Sequence, residues 1–298
     1  MKKLYTLLAL TITFSMNAQL TAVTEGGNTG QRLATSNASN HGDIGSNAVD
    51  LIYSSISNST TLGATGSNAV AMGINTAASG DFSTAMGKYT SAGGTGSTAM
   101  GNNTEATGTA STAMGSESEA YGESSTAMGY KTKASDYASL VIGQYNSSGY
   151  LITNNATSFS TSNTAFVIGN GTDSFNQSDA FKVMFNGDTT VSNDLTVSGD
   201  VVISSDARLK SNIVSLGSTL PKLLQIDGKS YEMKGKQKIG VLAQEIKEVF
   251  PELVSEDDNK MLAVNYQGLV PVLINALKEQ QNEIDELKEM VQSLVSKE

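Results

Sequence analysis

Ser97-Thr98-Ala99-Met100-Gly101 is one copy of a short unit that recurs at a fixed spacing in the first half of the chain. The glycine that ends the unit returns every 14 residues, at Gly73, Gly87, Gly101, Gly115, Gly129 and Gly143. A period of 14 is too short for a pair of helices, but it fits one coil of two short strands and two tight turns. Successive coils would then stack about 4.8 Å apart. The repeats therefore predict a β-solenoid.

The unit also predicts that the solenoid packs against copies of itself. Strand alternation places Thr98 and Met100 on one face, and Ser97, Ala99 and Gly101 on the other. The small residues let another sheet approach closely. Because one such coil buries little apolar area, we expect self-association to stabilise the structure.

The repeats resemble the YadA-like head of trimeric autotransporter adhesins, whose unit is a Ser-x-Ala-hydrophobic-Gly coil. The resemblance covers residues 63–149 and implies a trimeric, left-handed β-roll head. The sequence departs from that family after the stalk, where it has no set of membrane-spanning amphipathic strands, so no transmembrane anchor is expected in the mature chain. The head would either bind a glycan or another surface ligand, or act as a spacer.

The first residues have the pattern of a secretory signal. Lys2 and Lys3 precede an apolar run from Leu4 to Met16, and Ala18 provides the small residue before the predicted cleavage point. Residues 1–18 are therefore predicted to be a signal peptide, and 19–62 form an N-terminal low-complexity region. We expect an exported protein, extracellular or on the cell surface of a Gram-negative bacterium.

Composition excludes several kinds of site. The chain has no cysteine and a single histidine, His41, so disulfides, thiolate metal sites and histidine-based metal clusters are not expected. No cofactor or metal is predicted. A net charge of −10 argues against nucleic acid as a partner.

Residues 150–204 have the pattern of a β-rich stalk. Thr164–Gly169 is rich in strand formers, while Phe181–Phe185 and Thr189–Val191 flank Asn186-Gly187, a strong hairpin signal. Alternation of apolar and polar residues continues further along the stalk at Leu195, Val197, Val201 and Ile203.

Residues 205–298 have the composition of a small α+β domain that ends in a coiled coil. The α+β part covers 205–268 and includes a helix predicted from Ala243 to Phe250, which Pro251 would stop. Residues 269–298 form the predicted coiled coil. Its heptad has Leu277, Ile284 and Val291 at a, and Leu273, Gln280, Leu287 and Leu294 at d. This a/d pattern by itself favours a dimer, but the repeats favour a trimer, and we expect a homotrimer.

Four ordered motifs in this last domain point to one family. They are Ser205–Ile213, Gly240–Glu245, Phe250–Val254 and Tyr266–Leu273. Together they resemble the endosialidase-type intramolecular chaperone of phage tail spikes, a self-cleaving serine peptidase family. The resemblance implies trimerisation of a fibre followed by release of the domain. It places the nucleophile on Ser205 and the catalytic lysine on Lys210.

The residues at this junction fit such a reaction. Ser205 would attack the carbonyl of Ser204, and the base has to be an amine because the domain contains no histidine. A lysine acts as a base only when neutral, which requires desolvation or a nearby positive charge such as Arg208 to lower its pKa from about 10.4. A turn has to bring Ser205 and Lys210 together, and we expect that turn to form fully only after three chains have assembled.

The sequence thus predicts a mainly β protein with a trimeric left-handed β-roll head, a β-rich stalk and a small α+β C-terminal domain ending in a coiled-coil helix. Its function would be that of an exported homotrimeric fibre or adhesin-like protein. The C-terminal chaperone drives trimerisation and then hydrolyses the Ser204–Ser205 bond once, with no activity on other substrates. The alternative is that Ser205 and Lys210 are solvated residues at a boundary and the domain stays attached as a trimerisation cap.

Overall fold

The computed structural model describes residues 20–150, 156–257 and 260–296. The predicted signal peptide lies outside the described residues. Internal contacts divide the chain into two compact units, residues 1–199 and 200–298, and each is described by itself.

The described residues of the first unit form strands and one 3-10 helix, Ala38–Asn40. The strands are β1 (Leu20–Glu25), β2 (Asn28–Leu33), β3 (Val49–Tyr53), β4 (Gly63–Ala64), β5 (Val70–Ile74), β6 (Ala77–Ala78), β7 (Thr84–Lys88), β8 (Ser91–Ala92), β9 (Thr98–Asn102), β10 (Glu105–Ala106), β11 (Thr112–Ser116), β12 (Glu119–Ala120), β13 (Thr126–Tyr130), β14 (Lys133–Ala134), β15 (Leu140–Gln144), β16 (Thr164–Asn170), β17 (Asp179–Met184) and β18 (Thr189–Val191).

These strands form a β-solenoid, as the repeats predict. One sheet has the order β1-β2-β3-β5-β7-β9-β11-β13-β15-β16-β17-β18, and a second sheet stacks the two-residue strands β4 to β14. Equivalent residues of successive coils pair in parallel; Met100, for example, aligns with Met86 on one side and Met114 on the other. The prediction of a mainly β fold is therefore confirmed.

The interior of the solenoid is narrow because alanine fills it. Ala85, Ala99 and Ala113 from the long strands are fully buried, as are Ala92 and Ala106 from the short ones. Gly87 and its equivalents adopt a left-handed backbone, and a Cβ on Gly87 would collide with the carbonyl oxygen of Gly101 in the next coil. Alanine and glycine at these positions therefore set how closely the coils stack.

Antiparallel hairpins form both ends of the long sheet. β1 pairs with β2 at one end, and β17 pairs with β18 at the other, across a turn at Asn186-Gly187. The predicted hairpin is therefore present. Residues 195–203 form no strand, so the strand expectation for this alternating stretch is wrong. A strand needs a neighbouring strand to satisfy its backbone groups, and this single chain offers none there.

A buried charged cluster lies near the first hairpin. Asp50 Oδ2 lies 3.1 Å from Arg32 Nε and 2.7 Å from His41 Nδ1. Arg32 Nη1 lies 2.7 Å from Glu25 Oε1, and Arg32 Nη2 donates to the Gly42 carbonyl at 3.0 Å. Pairing offsets the cost of burying these charges. The described part of the N-terminal low-complexity region thus contributes strands β1, β2 and β3 to the solenoid, together with this cluster.

The second unit is α+β. Its elements are α1 (Leu220–Leu223), β19 (Lys229–Met233), β20 (Lys236–Gly240), α2 (Ala243–Val249), β21 (Val254–Glu256), β22 (Leu262–Val264) and α3 (Leu269–Val295), with 3-10 helices at Ala207–Leu209, Pro251–Leu253 and Tyr266–Gly268. β19 pairs with β20, and β21 with β22, as antiparallel two-stranded ribbons.

The core of the second unit is small. Ile246 and Phe250 from the α2 segment pack with Val272 from α3. Along the rest of α3 the predicted heptad seam is uncovered in the single chain: Leu287 is 58 % exposed and Val291 57 % exposed. A seam of this kind is covered by helices of other chains in a coiled coil.

Candidate self-cleavage site

A 3-10 turn organises the junction between residues 204 and 211. The turn covers Ala207–Leu209, and Asp206 caps its start by accepting a hydrogen bond from the Arg208 backbone N–H at 2.9 Å. The Lys210 N–H closes the turn on the Ala207 carbonyl. Because the chain folds back here, residues five apart in sequence lie on the same side.

The turn brings the two predicted catalytic residues together. Lys210 Nζ donates a hydrogen bond to Ser205 Oγ at 2.7 Å. The sequence predicts that this turn forms fully only in a trimer, but it is already present in the single chain. Local capping by Asp206 accounts for that difference, since it needs no neighbouring subunit.

Arg208, the predicted source of positive charge, is paired elsewhere. Its guanidinium contacts Asp206, with Nη2 2.6 Å from Oδ2 and Nε 3.1 Å from Oδ1. This contact, followed by the Arg208 backbone N–H, holds the pKa of Asp206 below its usual range. Much of the Arg208 charge is therefore balanced by Asp206, so Arg208 is not the free positive charge that the sequence predicts beside Lys210.

The junction is open to solvent in the single chain. Ser204, Ser205 and Lys210 are all exposed, and so are the apolar neighbours Val202 at 88 % and Leu209 at 72 %. Exposed apolar side chains close in sequence to the serine-lysine pair form a surface that another chain could cover. Such cover would remove water from the pair and strengthen every electrostatic interaction within it.

Sequence reasoning missed Glu279, a residue of α3 that anchors the segment after the junction. Its carboxylate accepts hydrogen bonds from the backbone N–H groups of Thr219 at 2.6 Å and Leu220 at 3.2 Å, and from Ser218 Oγ at 2.8 Å. Thr219 is buried and donates through Oγ1 to the Val272 carbonyl at 3.1 Å. Glu279 thereby ties the start of α1 to α3. A serine-threonine pair before a helix is a capping signal, but its partner 60 residues away could not be found from spacing.

A second missed contact orders one of the four motifs. Tyr266 Oη accepts a hydrogen bond from the Val241 backbone N–H at 3.1 Å, which links the Tyr266–Leu273 motif to the Gly240–Glu245 motif. These two motifs therefore contact each other in the folded domain.

Within the described ranges, no helix is both long enough and apolar enough to cross a membrane.

Comparison with known families agrees with both parts of this architecture. The YadA head domain repeat, a profile of two copies, matches residues 64–90, 92–118 and 120–146. The peptidase family described as chaperone of endosialidase matches residues 205–255, beginning at the serine of the pair. Among curated proteins, none matches the chain. The chain thus carries YadA head domain repeats followed by a C-terminal chaperone-of-endosialidase domain.

Proposed function

We propose that this protein is an exported homotrimeric fibre whose C-terminal domain drives trimerisation and then cuts its own chain once, between Ser204 and Ser205. The 2.7 Å contact between Lys210 Nζ and Ser205 Oγ carries this proposal. It supports a serine-lysine dyad at the start of a domain whose family is a peptidase family. The proposed domain limits are 63–149 for the head, 150–204 for the stalk and 205–298 for the chaperone.

The dyad acts in two steps. Lys210, as a neutral amine, takes the hydroxyl proton while Ser205 Oγ attacks the Ser204 carbonyl carbon. The C–N bond breaks, the Ser205 nitrogen takes the proton from the Lys210 ammonium, and an ester links Ser204 to Ser205 Oγ. Water then hydrolyses the ester, which leaves a carboxylate on Ser204 and restores the Ser205 hydroxyl. Neither step needs a cofactor or a metal.

Assembly supplies the environment for the first step. In the single chain Nζ donates to Oγ, whereas a base has to accept the hydroxyl proton. Neighbouring subunits that cover Val202 and Leu209 would desolvate the amine and favour its neutral form. Cleavage would therefore follow trimerisation, so that only a correctly assembled fibre loses its chaperone.

The small core of the second unit supports obligate assembly. Among the described residues of this unit, the buried apolar side chains are Ile246, Phe250, Val272 and Ala276, and of these only Ile246 is fully buried. A domain with so little core gains its stability from an interface. Three α3 helices packed along the seam would bury Leu287 and Val291.

The predicted signal peptide and the YadA head repeats support a place outside the cell, on the surface of a Gram-negative bacterium. Removal of the chaperone would leave the fibre kinetically locked, because unfolded chains would lack the domain that nucleates assembly.

A second function is favoured by one observation. Ser205 and Lys210 are exposed in the single chain, so no apolar surroundings desolvate the pair as it stands. If assembly does not desolvate the pair, the domain remains an uncut trimerisation cap on a structural adhesin.

Intact-mass measurement of the purified protein separates these two functions. Wild type, Ser205→Ala and Lys210→Ala are compared with the control variants Ser211→Ala and Lys222→Ala. Self-cleavage predicts a 94-residue fragment beginning at Ser205 in wild type and both controls, and none in the two dyad variants. Native mass spectra report the oligomeric state of each sample. An uncut wild-type trimer would establish the cap instead.

A further inference from the structure

A cleft with paired charges and tyrosine walls lies at the corner of the last solenoid coils. It is formed by Glu117, Glu119, Lys131, Lys133, Tyr145 and Tyr150. Its volume is about 200 Å³, which is below the roughly 300–1,000 Å³ of pockets that hold drug-sized ligands. The cleft therefore fits a single small ring or one unit of a longer chain.

The charged groups of the cleft are fixed in place by each other. Lys131 Nζ lies 3.2 Å from Glu117 Oε2, and Lys133 Nζ lies 2.6 Å from Glu119 Oε2. The hydrogen bond that Lys131 donates to Glu117 raises the pKa of Lys131, so the ion pair is intact at neutral pH. Two carboxylates and two ammonium groups give the cleft no net charge. A charged ligand would have to break one of these pairs.

Tyrosine rings hold the two lysines from the other side. Lys133 Nζ lies 4.5 Å from the centre of the Tyr150 ring, and Lys131 Nζ lies 5.6 Å from that of Tyr145. Tyr130 packs edge-on against Tyr145, with ring centres 5.3 Å apart. Cation–π contacts at these distances are attractive. The cleft is thus organised before any ligand arrives.

The repeat does not require these residues. The corner column that contains Glu117, Lys131 and Tyr145 has Asn75 in an earlier coil, and the strand column of Glu119 and Lys133 has Ala77. The coil folds equally well around these smaller, uncharged residues. Single residues of these types occur in earlier coils, as at Tyr89 and Glu105, but two lysine-glutamate pairs and two tyrosine rings come together in the cleft.

From this arrangement we propose that the cleft binds one neutral sugar unit of a glycan. A sugar ring is uncharged, has hydroxyl groups on its edge and presents C–H groups on its faces. Carboxylates and ammonium groups side by side can accept from and donate to neighbouring hydroxyls without losing their pairing. Tyrosine combines an apolar face with a polar tip, which suits the C–H face of such a ring.

The loop after β16 extends the cleft. Ser174 and Gln177 line its rim, and Phe175 between them is 97 % exposed. Asp173 fixes the loop by accepting from the backbone N–H groups of Phe175 at 2.8 Å and Asn176 at 2.9 Å. The exposed Phe175 ring, carried on a loop whose backbone Asp173 holds, is suited to contact the next unit of the same glycan.

A printed glycan array with neutral and acidic members tests this proposal on the full-length Ser205→Ala protein, so that processing does not affect the result. The strongest neutral oligosaccharide is then titrated by calorimetry against three variants. Tyr145→Asn removes the ring but keeps a residue type that other coils tolerate at this left-handed corner. Glu119→Gln breaks one ion pair. Tyr89→Asn is the matched control, since Tyr89 occupies the same column, has a lysine over its ring and lies outside the cleft.

We expect binding to neutral glycans, with affinity reduced about tenfold or more by Tyr145→Asn and by Glu119→Gln, and unchanged by Tyr89→Asn. Circular dichroism confirms that each variant is folded. Three results would overturn the proposal: no glycan bound, only acidic glycans bound, or Tyr145→Asn and Tyr89→Asn giving equal affinities. This site and the proposed self-cleavage are independent, so failure of either leaves the other standing.

Discussion

Glu279 Oε1 accepts a hydrogen bond from the Thr219 backbone N–H at 2.6 Å across 60 residues of sequence. The contact joins the first helical turn after the junction to the long C-terminal helix. It also places an anion at the start of a helix, where the helix dipole and the free N–H groups favour negative charge. Because only the ionised carboxylate fits this role, the contact depends on pH.

Acid should release this anchor. The hydrogen bond from the backbone N–H of Thr219 is the main cause that holds the pKa of Glu279 below its usual range. A group with a lowered folded pKa stabilises above its unfolded pKa, and that stabilisation is lost as the pH falls through the folded pKa. Hydrogen exchange should therefore show protection of the Thr219 and Leu220 amides that disappears in acid. Glu279→Gln should show weaker protection without the acid step, while Glu283→Gln on the same helix should behave as wild type. An acid step retained in Glu279→Gln would contradict the assignment.

Lys210→Arg should slow cleavage strongly although it keeps the positive charge. A guanidinium does not lose its proton in proteins, so it cannot act as the base. Positioned proton transfer contributes roughly 100- to 10,000-fold to such a step. We therefore expect the cleavage rate of the variant to be lower than that of wild type by a factor in this range. Time-resolved intact mass gives the rate, with Lys222→Arg as the control. Full-speed cleavage by Lys210→Arg would exclude a general-base lysine.

Leu287→Glu should prevent both trimerisation and cleavage. It places a charge in the α3 seam, which three helices cannot bury without a partner for it. Ser293→Glu adds the same charge on the same helix outside the a and d positions. Native mass spectrometry combined with fragment analysis measures both properties in each variant. Cleavage by a monomeric Leu287→Glu chain would contradict the proposal that cleavage requires trimerisation.

Thr90→Val should stabilise the head by about 1 kcal/mol, since the buried Thr90 hydroxyl has no hydrogen-bond partner among the described residues and valine has nearly the same shape. Thr132 stands in the same column, but its hydroxyl donates to Ser118 Oγ at 2.9 Å. Thr132→Val should therefore destabilise by about 1 kcal/mol. Thermal unfolding at matched concentration compares the two variants. Shifts of the same sign would show that the hydroxyl contacts do not decide stability here.

Asp50→Ala should cost about 3–5 kcal/mol of unfolding free energy, because it leaves Arg32 and His41 buried without their shared carboxylate. Asp81→Ala, an exposed carboxylate on a later coil, should cost about 1 kcal/mol or less. Chemical denaturation of the head provides both values. Equal effects of the two variants would mean that the buried cluster contributes no more than a surface carboxylate.

The sequence was informative where structure depends on local or periodic signals. The 14-residue glycine series is sufficient to predict the solenoid, and Asn186-Gly187 is sufficient to predict the hairpin. Alternation at residues 195–203 misled because a strand also depends on a neighbour, which sequence alone does not supply. Spacing could not reveal contacts such as Glu279 with Thr219, or Asp50 with Arg32 and His41, because they join distant segments.

The candidate site shows the same division. The resemblance placed the dyad on Ser205 and Lys210, and the need for a turn followed from their spacing. The pairing of Arg208 with Asp206 was not foreseen, although Asp206 directly before a short turn is a capping signal. Lys210 is exposed in the single chain. Whether another subunit covers it depends on assembly, which local sequence does not reveal.

The alanine-filled interior allows the number of coils in the head to change during evolution. Each coil contacts only the coil before and the coil after, and every coil presents nearly the same surface to both. An in-frame duplication or deletion of one repeat would therefore preserve both terminal hairpins and shift the tip of the head by about 4.8 Å. The length of the head is thus heritable and can change in steps of one coil without any change in the fold.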